Sequence, residues 1–82
     1  MKMRSRRQWT GDDVSEIVIE VNGTTHRVEV GATVATLLET LGLDGRTVVV
    51  ELNRQIVRRT EISDTRLEDG DRVELVHFVG GG

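Results

Sequence analysis

Residues 16–42 read EIVIEVNGTTHRVEVGATVATLLETLG, and this stretch decides the fold. Ile17, Ile19 and Val21 alternate with Val18 and Glu20, the period-two pattern of a half-buried strand. Asn22-Gly23 follows. Both residues tolerate a positive φ, so the pair predicts a type I′ turn and a tight hairpin. The return strand is predicted over Thr25 to Val30, with Val28 and Val30 pointing inward. Gly31-Ala32-Thr33 breaks that strand, and Thr33 can cap a helix by accepting a hydrogen bond from a free backbone N–H. Val34, Leu37, Leu38 and Leu41 fall at i, i+3, i+4 and i+7, one face of a short helix. Gly42 stands where a left-handed C-cap belongs.

Outward from this hairpin and helix, Thr47 to Leu52 is strongly β-branched and reads as a third strand. Asn53-Arg54 turns it into a short run, Gln55 to Val57, and residues 58–66 read as irregular. Leu67 is a lone apolar residue placed to plug the core, and Asp69-Gly70 turns into a last strand, Arg72 to Val79. The order is strand, strand, helix, strand, short strand, strand. It predicts an α+β domain: a mixed sheet of four to five strands with one helix packed on one face. The β-grasp, or ubiquitin-like roll, has this element order. It sets the first and last strands side by side at the sheet centre and sends the carboxyl end outward.

Composition narrows the function classes. A chain of 82 residues is one small domain, and with no cysteine it has no disulfide, thiolate metal site or thiol nucleophile. No apolar run is long enough to span a bilayer and the amino end has no apolar signal core, so a cytoplasmic protein away from membranes is expected. Net charge is −3, but Lys2, Arg4, Arg6 and Arg7 precede residue 9 and leave the rest at −7. Such an acidic body argues against nucleic acid and for a basic protein surface as partner. Residues 1–15 are polar and aperiodic, and read as a flexible N-terminal extension before a domain over 16–79.

The last strand runs straight into Gly80-Gly81-Gly82. Glycine has no Cβ, so such a tail can lie extended in a channel too narrow for other residues. Val79 to Gly82 can stretch about 13 Å. The plain alternative is a frayed terminus; the abrupt join of strand to glycine favours the functional reading. On the last strand, Val73, Leu75 and His77 point one way and Glu74, Val76 and Phe78 the other. If Val73 and Leu75 face the helix, Val76 and Phe78 lie on the open sheet face, as a partner footprint or as simple cover for the sheet edge.

No other constellation reads as a catalytic site. His26 and His77 fall on strands that a β-grasp keeps apart, so a shared metal is not expected. Asp69 and Asp71 flank a turn glycine, and Arg58-Arg59 read as a solvated loop or a contact for a partner carboxylate or phosphate. No glycine-rich phosphate loop follows a strand, and no hydroxyl has a base at recognisable spacing.

Taken together, Asn22-Gly23, Thr33 to Leu38, Val50 to Val57, Leu67 to Asp71 and Val73 to Gly82 resemble the ThiS branch of the ThiS/MoaD sulfur carriers across residues 16–82. The close Phe78-Val79-Gly80-Gly81-Gly82 is similar to the thiamine branch rather than the molybdopterin branch, whose tails often carry proline. Arg58 stands where the family often has proline, which leaves the local loop shape to be seen. The resemblance implies a protein co-substrate, not an enzyme, with no bound cofactor. A ThiF-like activating enzyme would use ATP and magnesium to adenylate the Gly82 carboxylate. A sulfur donor such as a cysteine desulfurase would turn it into a thiocarboxylate, and a ThiG-like thiazole synthase would take the sulfur. Gly80 and Gly81 would thread into the partner, with Val76, Phe78 and Arg59 on the docking surface. A monomer is expected in isolation. Other uses of the same tail are molybdopterin synthesis, transfer-RNA thiolation, protein modification through Gly82, or none, leaving an interaction domain.

Overall fold

The computed structural model describes residues 15–77. The predicted extension up to Val14, and Phe78, Val79 and Gly80 to Gly82, lie outside the described residues. Strand β1 is Glu16–Val21 and β2 is Thr24–Glu29, paired antiparallel from Glu16 opposite Glu29 to Val21 opposite Thr24. Asn22 and Gly23 join them at φ 51° and 83°, the left-handed pair that a type I′ turn requires. Helix α1 is Val34–Thr40, β3 is Val48–Leu52, β4 is Gln55–Val57 and β5 is Arg72–His77. The sheet order is β2-β1-β5-β3-β4, with β1 and β5 parallel and the other pairs antiparallel. The sheet therefore has five strands, and β5 lies at its middle.

Helix α1 forms because both of its ends are satisfied. Thr33 Oγ1 accepts from the Thr36 N–H at 3.2 Å, while the Val34 and Ala35 N–H groups donate to the carbonyls of Thr65 and Ile62. At the other end the Leu43 N–H reaches the Leu38 carbonyl and the Gly42 N–H that of Glu39, a Schellman closure with Gly42 at φ 74°. Its buried face, Val34, Leu37 and Leu38, packs with Ile19, Val21, Val48, Val50, Val73 and Leu67 into one core. Leu67, 2% exposed, fills the place expected of it.

Four details depart from the sequence reading. Val30 is not inward but 60% exposed. β2 stops at Glu29 and Gly31 turns the chain at φ 94°, so the alternation of strand faces no longer applies to Val30. The Val30 N–H instead donates back to the Ser15 carbonyl. Thr47 belongs not to β3 but to a 3-10 turn over Gly45–Thr47, which Asp44 caps through Arg46 N–H at 2.8 Å. Residues 58–66 contain a second such turn, Arg59–Glu61.

Candidate functional site

The site is the end of the sheet from which β5 leaves, together with the open face beside it. β5 is buried on its helix side through Val73 and Leu75, which alternation then places opposite to Arg72, Glu74 and Val76. Val76 is 60% exposed, with Val49 of β3 directly across from it. Among the described residues, Val18 and Ile56 are the other large apolar side chains exposed on strands of this face. Phe78 and the three glycines predicted to thread into a partner lie outside the described residues, so their placement is not described.

Backbone polar groups around β5 are closed by side chains at three turns. Asp69 Oδ1 accepts from the Val18 N–H at 2.8 Å and the Gly70 N–H donates to the Val18 carbonyl, so the turn before β5 is stitched to β1. Asp71 accepts from Glu68 N–H at 2.8 Å and from Asn53 Nδ2 at 2.9 Å. Asp69 and Asp71 therefore shape a turn, as their flanking of Gly70 suggested. Asn22 and Asn53, each at φ 51° in a hairpin turn, both turn their amides onto β5. Sequence reading took these asparagines only as turn formers. The turn signal itself marks them, but nothing local says where their side chains reach.

Arg59 sits in the segment after β4. The registers align Val57 with Val50 and Val50 with Leu75, so β4 ends level with the outgoing half of β5, across the intervening β3. Arg58 and Arg59 thus stand at the tail end of the sheet, with Arg59 in the strap whose Ile62 carbonyl bonds to the start of α1. A Cβ on Gly45 would lie 2.8 Å from Ile62 Cδ1, which shows how closely this strap meets the turn before β3. There the Arg46 guanidinium, hydrogen-bonded to Asp44 at 3.1 Å, holds the Asp44 carboxyl below its ordinary range, with a smaller pull from Arg59. Arg58 has φ −69° and ψ 150°, values that proline also adopts, so the loop keeps its shape without one. His26 and His77 sit on β2 and β5, with β1 between them. No group of three or more metal-ligating side chains occurs among the described residues. No helix among them is long and apolar enough to cross a membrane.

A five-stranded mixed sheet holding one helix, with its central strand running outward to the carboxyl end, defines a β-grasp domain of the ubiquitin-like class. Comparison with known proteins narrows this. Residues 16–82 match the ThiS family, and the chain belongs to it. It is 35% identical to the sulfur carrier protein ThiS of Thermus thermophilus over 65 residues, covering 79% of this chain and 100% of that protein. The crystal structure of a thiamine biosynthesis protein (ThiS) from Geobacter metallireducens superposes with a TM-score of 0.70 at 35% identity, covering 80% of this chain and 100% of that one. A thiazole synthase of Paramagnetospirillum magneticum is 40% identical over 62 residues, 76% of this chain. The chain spans only 19% of the length of that enzyme.

Proposed function

We propose that this ThiS-family chain is a sulfur carrier of thiamine biosynthesis that acts through the carboxyl group of Gly82. The observation that carries the reading is the family match itself, which runs through β5 and on through Gly80, Gly81 and Gly82. A free carboxylate is a poor electrophile, because attack must expel oxide. Attack by the Gly82 carboxylate on the α-phosphorus of ATP forms an acyl adenylate and releases pyrophosphate. The terminal sulfur of a persulfide from the donor then adds to the acyl carbon and expels AMP, giving an acyl disulfide, and a second thiol attacks the donor-side sulfur of that disulfide, leaving the terminal thiocarboxylate and a new disulfide. ATP and magnesium belong to a ThiF-like activating partner, and the sulfur to a donor such as a cysteine desulfurase. None of these steps needs a side chain of the carrier, so the chain is a co-substrate. A slender glycine tail lets the reacting carbon approach the nucleotide where a Cβ would clash.

A ThiG-like thiazole synthase is the proposed acceptor. In support, relatives named thiazole synthase contain, within one longer polypeptide, a stretch 40–41% identical to this chain. Val76 and Arg59, at the end of the sheet where β5 departs, form the docking surface in this reading together with Phe78, which lies outside the described residues. Consumption of ATP makes the cytoplasm the proposed site of action. The test is intact mass after incubation with ATP, magnesium, an activating enzyme and a sulfur source. Exchange of one terminal oxygen for sulfur is the expected result. An isopeptide-linked adduct would make the chain a protein modifier instead, and an unchanged mass would make it an interaction domain.

A further inference from the structure

The two hairpin turns of the sheet share one backbone form. Asn22-Gly23 stands at φ 51° and 83°, and Asn53-Arg54 at φ 51° and 74°. The first has glycine at its second position, where a left-handed φ is free of strain. The second has an arginine there, whose Cβ crowds the carbonyl that follows. Nothing inside the domain offsets this strain: among the described residues the Arg54 guanidinium has no hydrogen bond or ion pair. Strain of this kind gathers at sites of function. Arg54 lines a cleft of about 290 Å³ with Asn53, Gly70 and Arg72. The walls are tied together. Asn53 N–H donates to the Arg72 carbonyl at 2.8 Å, Arg72 N–H to Asn53 Oδ1 at 2.9 Å, and Asn53 Nδ2 to Asp71 Oδ1 at 2.9 Å. Arg72 gives its Nε–H to Glu20 Oε1 at 3.2 Å, and its terminal nitrogens have no partner among the described residues. No carboxylate among those residues lines the cleft, because Asp71 is turned to Asn53 and to the Glu68 N–H. The Glu20–Arg72 pair is close to neutral, so Arg54 leaves a net positive charge beside a second set of free guanidinium donors. Such a fork matches the oxygens of a carboxylate.

We propose that Arg54, with Arg72, is a second docking contact of the carrier, remote from Val76, and that it receives a side-chain carboxylate of the activating enzyme. This rests on the proposed function for the identity of the partner. Glu20, Glu51 and Glu74 share the Arg72 side of the sheet, so a basic partner surface matches the middle of that face. Over such a surface an acidic face has no preferred register, and one pair of inverted sign at its far end supplies it. Arg72 begins β5 and His77 ends it, about 17 Å away at about 3.3 Å per residue. An anchor that far from Val76 fixes the angle at which β5 lies on the partner.

The test uses the full chain, and its first two readings need no partner. Sodium acetate is titrated against sodium chloride at equal ionic strength while the arginine Nε–H resonances are followed by NMR. Those of Arg54 and Arg72 shift at least about twofold more in acetate, and the Arg72 response falls in Arg54→Gly. The resonance of Arg66, exposed beside the start of α1, responds equally to both salts. Thermal melting of Arg54→Gly is read second, and its Tm stands at or above wild type because the strained φ is relieved. ATP-dependent pyrophosphate exchange with the activating enzyme is read third. Arg54→Gly raises the KM for the carrier about tenfold at unchanged kcat, the mark of a contact held equally in the ground and transition states. Arg54→Glu raises it further, Arg54→Lys recovers part of the loss, and Arg66→Ala, with the same change in charge as Arg54→Gly, leaves it unchanged. Wild-type KM in Arg54→Gly overturns the docking role, and so does an equal rise in Arg66→Ala, which reduces the effect to net charge. A fall in Tm in Arg54→Gly overturns the argument from strain. No exchange by the wild-type chain overturns the proposed function, and the cleft is then judged on the titration alone, where equal shifts in acetate and chloride overturn it.

Discussion

Glu51 of β3 lies directly across from Glu74 of β5 on the open face of the sheet. Like charges facing one another across strands are destabilising. The ion pairs among the described residues leave both unpaired, because the neighbouring Arg72 is taken by Glu20 at 3.2 Å. The repulsion sits beside Val49 and Val76, where the proposed docking surface lies. Glu74→Lys converts it into an attraction and is expected to stabilise the domain by about 0.5–1 kcal/mol, raising Tm by about 2–8 °C. Thermal melting of the variant checks this, and a lower Tm would contradict it.

Val76 is exposed, so its replacement spares the core. Val76→Asp is expected to cost the fold about 0.2–1 kcal/mol, through loss of the cross-strand contact with Val49. Adenylation with the activating enzyme is expected to fall tenfold or more, at about 1.4 kcal/mol per factor of ten, because a carboxylate would be buried unpaired in the complex. A folded variant with wild-type KM would remove Val76 from the docking surface.

Gly81→Leu tests the need for a slim tail. Its melting curve should match wild type to within about 0.5 kcal/mol, while adenylation is lost. Equal loss of folding and reaction would count against the tail assignment.

Arg58 already has the backbone angles of proline, and Val57 before it is in a strand, the conformation that proline imposes on its predecessor. Arg58→Pro is therefore expected to stabilise by about 0.4–1 kcal/mol, by restricting the unfolded chain. Urea denaturation should show a higher midpoint at unchanged slope.

Asp44 carries a pH signature. Its carboxyl is depressed chiefly by the hydrogen bond from the Arg46 side chain. The stability this contributes is present above the ordinary carboxylate pKa and is lost as pH falls through the lowered folded value. Asp44→Asn is expected to narrow its gap to wild type on the acid side and keep it at neutral pH. A gap of constant size from neutral to strongly acid pH would refute the coupling.

Most of the fold was legible because its signals are local. The Asn22-Gly23 and Asn53-Arg54 turns, the Thr33 cap, the helix face Val34, Leu37 and Leu38, and the Gly42 closure each follow from residues within one turn or one hairpin. Period two does not reach Val30, because β2 ends at Glu29 and Gly31 turns the chain. Thr47 has a branched side chain that suits a strand, but the Asp44 cap draws it into a 3-10 turn. For the site, the exposed side of β5 at Val76 followed from alternation, while Phe78 and the glycine tail lie beyond the described residues.

By itself the sequence determined the elements, their order and the family, since periodicity, capping and turn chemistry act over a few residues. Tertiary structure decided which distant residues meet. Asn22 reaches Leu75 across 53 positions, Glu51 faces Glu74, and Arg59 arrives at the end of the sheet where β5 departs. Those meetings depend on strand order and register, which the whole core settles at once as it packs Ile19, Val50 and Val73 beneath one helix.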